Sequence, residues 1–113
     1  MTTKLNLEAK KCTPCQGGVA PLSCEIATQA LADVPGWELI ENATKLKRTF
    51  KFSDFMQALS FTQKVGELCE LEGHHPDITV GWGYSRVVFQ THKINGLHEN
   101  DFIMAAKVNA LAK

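Results

Sequence analysis

The stretch Ser53–Tyr84, SDFMQALSFTQKVGELCELEGHHPDITVGWGY, changes its hydrophobic period once, and that change decides the fold. Spaced at about 100° per residue, Phe55, Ala58, Leu59, Phe61, Thr62, Val65, Gly66, Leu68 and Cys69 share one half of a helix. Gln57, Ser60, Gln63, Lys64, Glu67 and Glu70 share the other half, with Met56 and Leu71 as exceptions. The pattern predicts a helix from Asp54 to about Glu72, capped by Ser53, stopped by Gly73 and barred from restarting by Pro76. Beyond Pro76 the period falls to two. Ile78, Val80, Trp82 and Tyr84 alternate with Thr79, Gly81 and Gly83, which is the mark of a strand.

Outward from this stretch the same two periods recur. After a tight turn, Arg86–His92 reads as a second strand, with Val87, Phe89 and Thr91 facing one way and Val88, Gln90 and His92 the other. Upstream, Trp37–Glu41 and Lys45–Phe52 flank Asn42-Ala43-Thr44 as an antiparallel hairpin. Leu46, Phe50 and Phe52 form its apolar side; Arg48 interrupts that side, which suits an edge or an interface. Ser23 caps a short helix, Glu25–Ala32, that Asp33-Val34-Pro35-Gly36 ends. A last helix starts after Gly96, with His98 as N-cap, Asp101 at the third position, and Leu97 and Phe102 as a hydrophobic staple. The order α-β-β-α-β-β-α predicts an α+β fold, a four-stranded antiparallel sheet with three helices packed on one face. The other face is left to solvent or to a partner chain. Residues 1–21, where Cys12–Pro21 holds two prolines and two glycines, read as an N-terminal arm, and residues 22–113 as the domain.

Composition narrows the function classes. The 113 residues carry 12 Lys and Arg against 12 Asp and Glu, which argues against a general nucleic-acid surface. No apolar run approaches the ~18 residues that cross a bilayer. Asn6 and Glu8 break the leucines near the start, so no secretory segment is expected and the chain reads as cytoplasmic. The four cysteines then read as thiols or a metal site before disulfides. A domain of this size has little spare stability, which makes self-association a natural supplement.

All four histidines lie between residues 74 and 98. Antiparallel neighbours bring the far end of the Arg86–His92 strand back beside His74 and His75, so three imidazoles are expected around one mouth. Glu70, one turn before His74, and Asp101 offer carboxylates to orient and charge them. Imidazoles can donate one proton and accept another near neutral pH, which suits an elimination of water. A three-histidine zinc site is the competing reading, though no short His-x-His or His-x-x-x-His spacing backs it. Cys12 and Cys15 form a CxxC pair that Cys24 and Cys69 do not repeat; it reads as inert, as a weak metal site, or as a redox dithiol.

Glu70-Leu71-Glu72-Gly73-His74-His75-Pro76, then Trp82, His92 and Asp101 in that spacing, closely resemble the pterin-4a-carbinolamine dehydratase family. The resemblance runs from about Leu22 to the C-terminus and includes Gly36-Trp37 and Gly96-Leu97; it does not reach the CxxC arm. It implies the fold already derived, assembly into homodimers or homotetramers, and a hydro-lyase that dehydrates 4a-hydroxytetrahydropterin to quinonoid dihydropterin. The setting implied is tetrahydrobiopterin recycling beside an aromatic amino-acid hydroxylase, with the pterin as substrate and no separate cofactor. By the same resemblance His74, His75 and His92 are the catalytic residues, with His74 and His92 sharing the two proton transfers and His75 orienting the substrate. Glu70 and Thr91 fall on pterin contacts and Asp101 on a support of the site. His98 stands where many members have a Ser cap, and Asp77–Gly81 lacks aromatics found in some animal members. The homeodomain partner of some animal members finds no support in these residues. A non-catalytic dimerisation or regulatory module of the same fold is the alternative.

Overall fold

A computed structural model describes residues 20–112. Cys12 and Cys15, with all but the last two residues of the expected arm, lie outside the described residues. Chain order is helix α1 (Cys24–Ala30), strands β1 (Glu38–Ile40) and β2 (Lys45–Lys51), helix α2 (Phe55–Glu72), strands β3 (Asp77–Gly81) and β4 (Tyr84–Phe89), and helix α3 (Glu99–Leu111). Short 3-10 turns follow α1 at Leu31–Asp33 and β4 at His92–Ile94. The sheet is antiparallel throughout, in the order β1-β2-β4-β3.

Local chemistry sets the helix ends. Ser23 Oγ accepts from the Ile26 N–H at 3.1 Å and starts α1 as expected. The cap of α2 is Asp54, one residue later than the Ser53 expected: its backbone is extended and its Oδ1 accepts from Gln57 N at 2.8 Å. Both residue types cap well, and the carboxylate adds charge complementary to the helix dipole. At the other end Gly73 takes φ +69°, the His74 N–H donates to Cys69 O at 3.1 Å, and the Gly73 N–H donates to Glu70 O at 3.3 Å. This pair of bonds turns the chain sharply off the helix, and glycine takes the left-handed conformation without the cost a Cβ would bring.

On β2 and β4 the strand parity read from the sequence is the burial pattern observed. Leu46 and Phe50 of β2 and Ser85, Val87 and Phe89 of β4 face inward. They meet Phe61, Val65 and Cys69 of α2, and Phe102, Met104, Ala105 and Val108 of α3, with Trp37 against Phe50 and Phe89. The tight turn falls at Trp82-Gly83, so the strand read through Tyr84 ends at Gly81 and Tyr84 opens β4. Two further expectations need correction. First, β4 ends at Phe89: Thr91 leaves the ladder to bridge Gly96, so His92 opens a 3-10 turn and does not end a strand. Second, β2 is an inner strand, so Arg48 does not mark an edge; its Nη1 donates to Pro35 O at 3.0 Å and Asn109 Oδ1 at 2.7 Å, and its guanidinium lies 4.3 Å from the Phe50 ring centre. Burial there lowers the Arg48 pKa. Among the described residues no helix is long and apolar enough to cross a membrane.

Candidate active site

The left-handed turn at Gly73 sends two consecutive imidazoles in different directions. His74 turns inward, its ring stacked on Phe89 with centroids 6.0 Å apart, and its Nε2 lies 2.7 Å from Asp101 Oδ1. His75 turns back over the end of α2, where its Nε2 lies 2.8 Å from Glu70 Oε1. The environments differ sharply: side-chain exposure is 13% and 0% for His74 and Asp101, against 63% and 81% for His75 and Glu70. Sequence spacing placed Glu70 near His74. The structure pairs it with His75, and gives His74 to Asp101.

Asp101 owes its position to the start of α3. His98 is the N-cap, with Nδ1 accepting from the Asn100 N–H at 3.1 Å, while Asp101 Oδ2 accepts from the His98 N–H at 3.0 Å. This reciprocal box satisfies backbone donors that a helix start leaves without partners, so His98 replaces a serine cap with its ring nitrogen. Leu97 and Phe102, both buried, flank it as the expected staple. Asp101 Oδ2 also accepts from Thr91 Oγ1 at 2.7 Å. A carboxylate sealed from water is costly unless its lone pairs are met, and here three donors converge on two oxygens. With Asp101 as acceptor, the His74 proton sits on Nε2, and Nδ1 is the nitrogen left for proton exchange.

The expected residues therefore fall into three groups. His74, Asp101 and Thr91 form one hydrogen-bonded chain. Glu70 and His75 form an exposed pair beside it. His92, also exposed, directly follows Thr91. Thr91, expected at the substrate, and Asp101, expected to support the site, have their polar side-chain atoms turned inward: Asp101 is fully buried and Thr91 is 3% exposed. Phe89 beneath the His74 ring was not foreseen, although its inward parity on β4 was readable. Among the described residues no group of three or more His, Cys, Asp or Glu side chains is arranged to hold a metal ion.

Comparison with known proteins bears on what this site does. Residues 20–111 match the family model described as pterin 4 alpha carbinolamine dehydratase. A protein of Methylococcus capsulatus is 71% identical over 107 residues, covering 95% of this chain and 94% of its own. One of Aromatoleum aromaticum is 54% identical, covering 94% of this chain and 95% of its own. Both are named, provisionally, as pterin-4-alpha-carbinolamine dehydratases. A crystal structure of a transcriptional coactivator/pterin dehydratase from Brucella melitensis superposes with TM-score 0.77 at 32% identity, over 82% of this chain and 99% of that one. A pterin dehydratase-like protein identified as a RuBisCO assembly factor in the alpha-carboxysome gives TM-score 0.60 at 26% identity, over 69% and 94%.

Proposed function

The chain belongs to the pterin 4 alpha carbinolamine dehydratase family, and from that membership we propose that it dehydrates 4a-hydroxytetrahydropterin to quinonoid dihydropterin. The C4a hydroxyl gains a proton and leaves as water, N5 loses its proton, and a C4a–N5 double bond forms. No oxidant or reductant enters. One acid and one base suffice, and the reading needs no cofactor beyond the pterin itself. His74 and His92 share the two transfers. His75, held by Glu70, orients the substrate, and Thr91 stands behind the site on Asp101. The observation that carries this reading is the sealed Asp101 behind His74: it fixes the ring and would stabilise the imidazolium that forms when Nδ1 is protonated.

The wider setting proposed is cytoplasmic recycling of tetrahydrobiopterin beside an aromatic amino-acid hydroxylase that supplies the carbinolamine. Self-association as a dimer or tetramer is supported by the edge position of β3 among the described strands and by the exposed Met56 and Leu71 of α2. The coupled hydroxylase assay is the direct test. Purified protein should speed decay of the 4a-hydroxy intermediate, and decay at the uncatalysed rate would reject the activity. A second reading, a non-catalytic assembly or regulatory module, is favoured by the neighbour identified as a RuBisCO assembly factor and by the outer sheet face carrying Lys45, Lys47, Lys51 and Arg86. Protein that self-associates but leaves the decay unchanged would support that second reading.

A further inference from the structure

Thr91 touches both halves of the proposed proton-transfer machinery. Its hydroxyl donates to Asp101 Oδ2 at 2.7 Å, and Asp101 Oδ1 holds His74 Nε2 at 2.7 Å. Its main chain closes the loop that carries His92. The Thr91 N–H donates to Gly96 O at 2.9 Å, and Thr91 O accepts from Ile94 N at 3.2 Å and Gly96 N at 3.5 Å. Gly96 in turn is backed by Pro21, so close that a Cβ on Gly96 would lie 2.5 Å from the Pro21 Cβ, and Leu22 N donates to Leu97 O at 2.8 Å. The loop is thus clamped from both sides. At 3% exposure Thr91 has no side chain left to offer a ligand.

We propose that Thr91 is a positioning residue: through Asp101 it fixes the tautomer and aim of His74, and through its backbone it holds the loop bearing His92. Two donors fix Asp101 Oδ2, the Thr91 hydroxyl and the His98 N–H. With only the amide left, the carboxylate can pivot about its Cβ–Cγ bond, and Oδ1 no longer holds the Nε2 proton at one angle. A single N–H donor also leaves an Oδ2 lone pair unmet in a sealed site, which one proton taken up from solvent would relieve, and a neutral Asp101 carboxyl no longer selects the Nε2-protonated form of His74. Both routes loosen His74 while the fold stays intact.

The inference rests on the dehydratase reading for its kinetic consequence, but not for its spectroscopic one. Thr91→Val keeps the β-branched shape and removes the donor; Thr91→Ser keeps the donor. Loss of one hydrogen bond to a charged group predicts a kcat about 10- to 100-fold lower for Thr91→Val with KM little changed. Thr91→Ser should stay close to wild type. In ¹⁵N-labelled protein the His74 ring should show Nε2 protonated and Nδ1 bare in wild type and Thr91→Ser, and exchange-averaged nitrogens in Thr91→Val. Wild-type kcat and wild-type His74 nitrogens in Thr91→Val would overturn the proposal, and so would a Thr91→Ser as impaired as Thr91→Val. Should Thr91→Val fail to fold, the wild-type spectrum decides: a His74 proton on Nδ1 rejects the arrangement. Wild-type protein with no dehydratase activity removes the function, while the nitrogen spectra still judge the relay.

Discussion

Helix α3 gathers a polar knot at each end, and the two knots use the same bonds for different ends. At its start Asp101 collects Thr91, the His98 amide and His74. Near its finish Asn109 Oδ1 accepts from Trp37 Nε1 at 2.8 Å and Arg48 Nη1 at 2.7 Å, and Asn109 Nδ2 donates to Pro35 O at 3.0 Å. The second knot consists of an amide, an indole, a carbonyl and a guanidinium, none of which exchanges a proton near neutral pH. It ties β1, β2 and the Pro35 turn to the helix. The first ends in an imidazole with one nitrogen uncommitted. Satisfied polar groups tie tertiary structure together in both places, sealed at the first knot and partly exposed at the second, and only the first includes a titratable ring, to which the proposed reaction assigns a proton transfer.

Substitutions can test this division. The largest effect expected is on catalysis: His74→Ala should lower kcat/KM in the coupled dehydration assay by ~10² to 10⁴, the usual worth of a positioned acid or base. Asn109→Ala should leave that activity near wild type yet destabilise the fold by about 2–4 kcal/mol in urea unfolding, because Trp37 and Arg48 each lose an acceptor. If Asn109→Ala instead cut activity as deeply as His74→Ala, the two ends of α3 would not be separable. The smallest effect belongs to the exposed pair. Glu70→Gln should change the unfolding free energy from the same urea titration by no more than about 0.5 kcal/mol, since solvent-exposed ion pairs contribute little. A larger loss would mean that the Glu70–His75 pair also holds up the end of α2.

The elements were legible because each carries a period that survives in the sequence, and the start of α3 because Leu97, His98, Asp101 and Phe102 form a local signature. The return of the end of β4 to the neighbourhood of His74 was legible too, and Thr91 and Asp101 link the two. The pairings inside the site were not. Glu70 reaches His75 across a left-handed glycine, a conformation that helical spacing does not anticipate. The end of β4 was overrun because Thr91 keeps strand parity while its backbone bonds go to Gly96. Arg48 stood out on an apolar side, but its partner Asn109 is one polar residue among several on the last turns of a helix, and only tertiary contact singles it out.

Asp101 and Asn109 are eight residues apart on one continuous helix, a rise of about 12 Å with a rotation about 80° past two full turns. The first knot is docked to the segments that follow α2 and β4 and the second to β2 and the Pro35 turn, so α3 works as a phased spacer whose length and twist are both committed. One residue gained or lost between them would swing one knot about 100° from its partners while the other stayed in place. Over evolutionary time this span can exchange side chains but cannot change length.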